Sequence, residues 1–129
     1  MIKISTKVNP EFILFFKAHE RLAMVFGCNI HIYHSKTGDL IKILFQHEGN
    51  IKAINENGQN LMSLDEKGLL CQWNSDTLDL IVSKSFPERV LRATIASNLE
   101  FLYYTRDKEK VILRVSTYNF NNEWEYYEE

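Results

Sequence analysis

Cysteine is scarce in this 129-residue chain, which carries only Cys28 and Cys71. The two lack the close pairing of a zinc or redox thiolate site. One disulfide between them is formally open, but two buried free thiols in a reducing compartment are expected. An excess of charge of either sign is also missing. Fifteen Lys and Arg stand against 17 Asp and Glu, a formal net charge of −2, which excludes a purely electrostatic grip on nucleic acid. Long apolar runs are absent too. The first, Phe12–Phe16, is closed by Lys17, His19, Glu20 and Arg21, whereas a membrane-spanning helix needs about 20 apolar residues. No secretory leader pattern is present, so an intracellular location is the default expectation.

What is present suits a soluble, globular chain: 45% hydrophobic and 25% charged residues, with a length ordinary for one domain. The strongest feature is an internal period of forty residues. Ser35-Lys-Thr-Gly-Asp-Leu-Ile41 and Ser75-Asp-Thr-Leu-Asp-Leu-Ile81 agree at five of seven positions, and a large aromatic, Tyr33 or Trp73, stands two residues before each copy. The same offset relates Ile51-Lys52-Ala53 to Leu91-Arg92-Ala93 and Leu61-Met62 to Phe101-Leu102.

Between the repeated landmarks lie short segments that alternate or run apolar, rich in Ile, Leu, Phe and Tyr, as strands do. Phe12–Phe16, Leu22–Phe26, Asn29–Tyr33 and Leu40–Phe45 make one group, and Ile51–Ile54, Leu61–Leu64, Leu69–Trp73 and Leu78–Val82 a second. Val90–Ile95, Phe101–Thr105 and Val111–Thr117 begin a third. Turn-forming residues separate them at 35–39, 47–50, 55–60, 65–68, 74–77 and 106–110. Four strands per forty residues is the pattern of a propeller blade.

The central stretch resembles a WD repeat. His47, Ser63 and Trp73-Asn74 stand at the family's histidine, serine and Trp-Asp positions, with a His-to-Trp interval of 26, and Gly68-Leu69-Leu70-Cys71-Gln72-Trp73 matches its third-strand run. Tyr33-His34 takes the dipeptide position in the first copy, and Thr37-Gly38 the turn after it. The resemblance implies a buried relay in which His47, Ser63 and Trp73 satisfy one another inside an apolar blade and fix strand register. There are departures. Gln46 replaces the glycine before His47, Lys67 stands where the turn aspartate is expected with Asp65 two residues earlier, and the third copy has no Trp-Asp.

On this resemblance the fold is all-β: about three four-stranded antiparallel blades of a WD-repeat β-propeller, an incomplete ring over residues 1–129. Blade-like repeats are expected at 12–45, 51–82 and 90–127, with 2–8 as a strand able to close a full ring. Adjacent blades are expected to pack through Leu22, Met24, Leu61 and Phe101. Three blades leave unpaired edges, so the chain is expected to be a fragment of a longer protein or to need a partner.

Other chemistry is weak. Cys28, His31, His34 and His47 do not converge as metal ligands, because Cys28 and His34 fall on one face of a strand and His31 on the other. Asp65 and Glu66 suit a turn better than acid–base work. Ser63 and His47 look like a nucleophile and base, but the propeller reading makes them structural. No Gly-rich phosphate loop or nucleophile elbow appears. The acidic-aromatic tail Asn121–Glu129 suits an outer strand of the third blade or a docking peptide.

The function implied is a non-catalytic scaffold that binds other proteins, with no cofactor, metal or small-molecule substrate and no membrane. The charged hairpin Arg106, Lys108 and Lys110, placed before Val111-Ile112-Leu113 in a repeat without Trp-Asp, is the candidate partner-binding loop. That arrangement is similar to the start of WD-repeat subunits of the small-subunit processome. The similarity implies an RNA-containing complex, rRNA processing with the U3 snoRNP, and a nucleolar location. The alternative is a small independent all-β binding domain in which the forty-residue period is coincidence.

Overall fold

The computed structural model describes the backbone of residues 3–107, 110–116 and 123–128, and the side chains of residues 3–16 and 18–105. Within it the forty-residue period is a period of sheets. The first sheet holds β1 (Phe12–Phe16), β2 (Arg21–Phe26), β3 (Asn29–His34) and β4 (Leu40–Leu44). The second holds β5 (Ile51–Glu56), β6 (Asn60–Asp65), β7 (Leu69–Asn74) and β8 (Leu80–Ser85), and the third β9 (Arg92–Ile95), β10 (Phe101–Asp107), β11 (Lys110–Ser116) and β12 (Glu123–Glu128). Each is a four-stranded antiparallel meander in sequence order. The first strands of the sheets, β1, β5 and β9, lie beside one another. One short 3-10 turn, Lys17–His19, joins β1 to β2, and among the described residues no helix is long and apolar enough to cross a membrane.

The strands hold because their side chains are buried between sheets. One apolar layer joins Phe16, Ala23, Val25, Ile30 and Ile32 of the first sheet to Leu61, Cys71 and Trp73 of the second. The other joins Met62, Leu64 and Leu70 of the second sheet to Ile95, Phe101 and Tyr103 of the third. Leu61 and Phe101 pack where the sequence places them, but Leu22 and Met24 do not. Their neighbours Ala23 and Val25 face the second sheet instead. The run Leu22-Ala23-Met24-Val25-Phe26 is apolar throughout, so it carries no alternation to set the phase, and a slip of one residue exchanges the faces.

The repeated Ser-x-Thr-x-Asp-Leu-Ile segment is a turn with fixed chemistry. The backbone N–H groups of Asp76 and Thr77 donate to Asn74 Oδ1 at 2.8 and 2.9 Å, and that of Asp79 donates to Thr77 Oγ1. Forty residues earlier His34 Nδ1 accepts from Lys36 and Thr37, and Thr37 Oγ1 accepts from Asp39. Ser35 and Ser75 N–H donate to the carbonyls of Glu20 and Gln59, tying each turn to the one beside it. Gly38 adopts φ 79° and Leu78 φ 64° at the matching place. The left-handed conformation costs a leucine roughly 1–2 kcal/mol. Burying its side chain between the first two sheets returns about 1.5–3 kcal/mol. Leu78 therefore belongs to the turn, and the fourth strand of the second sheet begins at Leu80, two residues later than the apolar pattern suggests.

Gly68 stands at a close approach between the second sheet and the crossing to the third. It has φ 90°, and a Cβ there would lie 2.6 Å from the Phe86 carbonyl oxygen and 2.8 Å from that of Glu88. Those carbonyls belong to the crossing from the second sheet to the third, which is pinned by Phe86 N–H to the Gly68 carbonyl and Val90 N–H to that of Glu66, both at 2.8 Å. Neither backbone can yield without breaking these bonds. Gly68→Ala is expected to cost about 2–3 kcal/mol, more than the backbone strain of the left-handed region alone. Equilibrium urea unfolding checks it; a variant as stable as the parent would mean that the crossing is not held there.

Candidate functional site

Two neighbouring strands of the second sheet and the crossing that leads into it bring His47, Ser63 and Trp73 together. His47 lies in the crossing that precedes β5, Ser63 on β6 and Trp73 on β7. Register sets Ser63 against Cys71 and Leu61 against Trp73, so the serine and the indole point into the same layer. Trp73 Nε1–H donates to Ser63 Oγ at 3.1 Å. Ser63 Oγ and His47 Nε2 are 2.6 Å apart, and His47 Nδ1 is 2.9 Å from Asp65 Oδ2. An indole only donates and an ionised carboxylate only accepts, so the proton order follows: tryptophan to serine, serine O–H to Nε2, and Nδ1–H to aspartate.

Asp65 completes the chain. The family pattern seeks a turn aspartate at Lys67, but Asp65 ends β6 with its carboxylate turned inward while Lys67 is exposed on the turn. The other carboxylate oxygen, Oδ1, accepts backbone N–H bonds from Lys67 and Leu69 at 2.9 and 3.0 Å. Burial acts against the charge, yet the bonds from His47, Leu69 and Lys67 outweigh it, and the Asp65 carboxyl is held below the usual carboxylate range. The spacing Asp65-Glu66-Lys67-Gly68 was the available signal, since a carboxylate two residues before a tight turn can bond the turn's own N–H groups.

Aspartate, histidine and serine in hydrogen-bonded order have the connectivity of a hydrolytic triad, but not its access. Ser63 is 0% exposed, and its hydroxyl oxygen already accepts from Trp73. A nucleophile needs a site where substrate can stand within reach, and the inter-sheet layer provides none at Ser63. The arrangement is suited to holding β6, β7 and the His47 crossing in one register.

Cys71 lies in the same layer as a free thiol. Burial, with the nearby Asp65 charge, pushes its pKa up to about 12. Cys28, also free, is only half-buried. Thiolates are the reactive form, so alkylation of the native protein is expected to label Cys28 and spare Cys71 until the chain unfolds. Mass spectrometry of iodoacetamide-treated protein reads this directly; equal labelling of both in the native state would contradict the closed layer.

The first sheet has no such relay. Met24 pairs with His31 where Ser63 pairs with Cys71, and Leu22 with Tyr33 where Leu61 pairs with Trp73. His19 does other work, with Nε2 at 2.8 Å from the Gly58 carbonyl across the first two sheets. Arg21 Nη1 donates to the Ser75 carbonyl at 2.7 Å beside it. Among the described residues no three His, Cys, Asp or Glu side chains are placed to hold a metal ion. Of the turns, 35–39 exposes Lys36, Thr37 and Asp39, 74–77 exposes Asp76 and Thr77, and 65–68 exposes only Lys67. In the charged hairpin the backbone pairs Arg106 with Val111 and Asp107 with Lys110. Lys108 and the side chains of Arg106 and Lys110 lie outside the described residues.

Solved structures share this architecture. The β-propeller domain of Cps50 (Swd1) from Myceliophteria thermophila matches 97% of this chain with a TM-score of 0.70 at 15% identity. The RRP9 WD40 repeats and U3-55K each match 93% with TM-scores of 0.71 at 10% identity. The chain spans 41%, 38% and 39% of these three structures, respectively. No protein-family model matches the chain, and no curated protein matches it in sequence. At such identities the likeness lies in the fold, and with three meandering sheets packed in series it fixes that fold: the chain has β-propeller architecture, with three blades among the described residues that do not close a ring.

Proposed function

We propose that the protein is a non-catalytic scaffold whose rigid blades hold other proteins, within an RNA-containing assembly of the kind that processes ribosomal RNA in the nucleolus. The observation that carries the scaffold reading is the inward turn of the polar chemistry. The best-connected polar groups, Asp65, His47 and Ser63, are buried between sheets, and what the rims present is short turns held by their own hydrogen bonds. Loops fixed on a rigid scaffold are where partners bind. The ribosomal part rests on the charged-hairpin pattern at Arg106, Lys108 and Lys110, and the likeness to the RRP9 WD40 repeats and U3-55K supports it. The relay of His47, Ser63, Trp73 and Asp65 serves this role as a register lock.

The test is affinity recovery of the protein from nuclear extract, with and without ribonuclease, followed by protein and RNA sequencing. Pre-ribosomal RNA and processing factors are expected in the untreated sample. Charge reversal at Arg106, Lys108 and Lys110 is expected to reduce recovery of at least one protein while leaving the melting temperature unchanged. Turnover of a substrate by the isolated chain would overturn the scaffold reading. Recovery of partners without any pre-ribosomal RNA would overturn its ribosomal part.

A further inference from the structure

Among the described residues, the outer face of the first sheet has no sheet packed against it. Residues opposite one another across antiparallel strands share a face. Register therefore groups Ile13 with Met24 and His31, and Phe15 with Leu22 and Tyr33. This face looks away from the layer that Ala23, Val25, Ile30 and Ile32 form with the second sheet. Ile13 is 64% exposed and Phe15 54%. The segment Ser5–Val8 lies along the β3 side of this face, where with Phe26, His31 and Tyr33 it lines a groove of about 320 Å³.

Met24 is buried and Leu22, His31 and Tyr33 are half-buried, so the exposed part of this face is its β1 edge, and the face repeats one that is covered on the second sheet. Leu22 opposite Tyr33 corresponds to Leu61 opposite Trp73, and on the second sheet that pair is buried against the first sheet. The chain also carries the complementary surface. Leu102 and Tyr104 stand forty residues after Met62 and Leu64, on the side of β10 away from Phe101 and Tyr103. Met62 and Leu64 are fully buried against the third sheet, whereas Leu102 is 37% exposed. One molecule thus presents both halves of a contact that it makes twice internally.

We propose that this face of the first sheet packs on the Leu102 and Tyr104 side of the third sheet of a second copy of this chain, head to tail. A heterologous contact of this kind either closes into a ring or runs on as a filament. Closure is the expected result, because two copies of three sheets supply six, within the roughly four to eight blades of propellers. The contact removes from water the exposed apolar side chains of Ile13 and Phe15 on one molecule and of Leu102 on the other. The inference is independent of the scaffold reading above and goes beyond it.

Light scattering coupled to size exclusion tests it on the 15.2 kDa chain. The expected mass is twice that of the chain. Two variants break opposite halves: Ile13→Lys with Phe15→Lys on the head, and Leu102→Lys on the tail. Each alone is expected to run as a monomer with unchanged far-ultraviolet circular dichroism. Mixed, they are expected to recover a two-chain species, because each retains the half that the other lacks. If the lysines unfold the chain, Phe15→Ser and Leu102→Ser carry the same comparison. A parent chain monomeric at every concentration, a dimer that survives both variants, or a mixture that stays monomeric would each overturn the proposal. A capped dimer in the mixture together with filaments of the parent would overturn ring closure.

Discussion

Replacing Trp73 by alanine is expected to lower the unfolding free energy by about 3–5 kcal/mol. The indole is almost wholly buried between the first two sheets, beside Leu61, Cys71 and Leu78. Its removal opens a cavity that paired backbones cannot collapse to fill. The second loss is polar: Nε1–H is the donor to Ser63 Oγ at 3.1 Å, and the serine's lone pair is left without it. Trp73→Phe separates the two effects. It keeps most of the buried volume and deletes only the donor, so it is expected to cost about 1–2 kcal/mol. Urea unfolding followed by far-ultraviolet circular dichroism measures both, with the midpoint shifting and the slope held. An alanine variant within about 1 kcal/mol of the parent would mean that the packing around Trp73 contributes far less than large-to-small core substitutions do.

The period of the fold was legible because the turn chemistry repeats with it. Ser35, Thr37 and Asp39 recur as Ser75, Thr77 and Asp79, and each serves the same backbone bonds in both copies. Strand phase was less legible. Between Leu22 and Phe26 every residue is apolar, so the sequence does not say that Ala23 and Val25, the smaller side chains, face the second sheet. Small residues there admit close approach of the large Trp73 and Leu61 from the other side. Strand starts slipped where burial overrode local preference, as at Leu78, a leucine in a left-handed position that the pattern counts as strand.

The relay was legible in three of its four members. His47, Ser63 and Trp73 are spaced so that a crossing and two adjacent strands must converge, whatever the loops between them do. Asp65 was obscured because its position in the chain is that of a turn residue while its carboxylate is that of a core residue. It sits at the end of β6, and Oδ1 caps the following turn through the N–H groups of Lys67 and Leu69 while Oδ2 takes His47. A side chain with two oxygens serves two structures at once, and sequence spacing reports only the turn.

That double use makes Asp65→Ala the other large loss, about 3–5 kcal/mol near neutral pH. Three donors lose their acceptor: the buried His47 Nδ1–H and two partly buried backbone N–H groups of the following turn. Asp65→Asn keeps the shape, but its amide nitrogen must face donors on one side, and the variant is expected to fall between alanine and the parent. Acid distinguishes the charge from the packing. The folded-state pKa of Asp65 lies below its ordinary value because hydrogen bonds from His47, Leu69 and Lys67 overcome the opposing effect of burial. The unfolded chain therefore takes up the proton first as pH falls. The stability tied to the carboxylate is full above the unfolded pKa of about 3.9 and drains away as pH drops through the lower, folded value. The gap between parent and Asp65→Ala is accordingly expected to be constant from neutral pH to about pH 5 and to narrow below about pH 4. Urea midpoints measured across that range decide it. A gap that stays the same down to about pH 2 would assign the whole effect of Asp65 to shape and none to the ionised carboxylate.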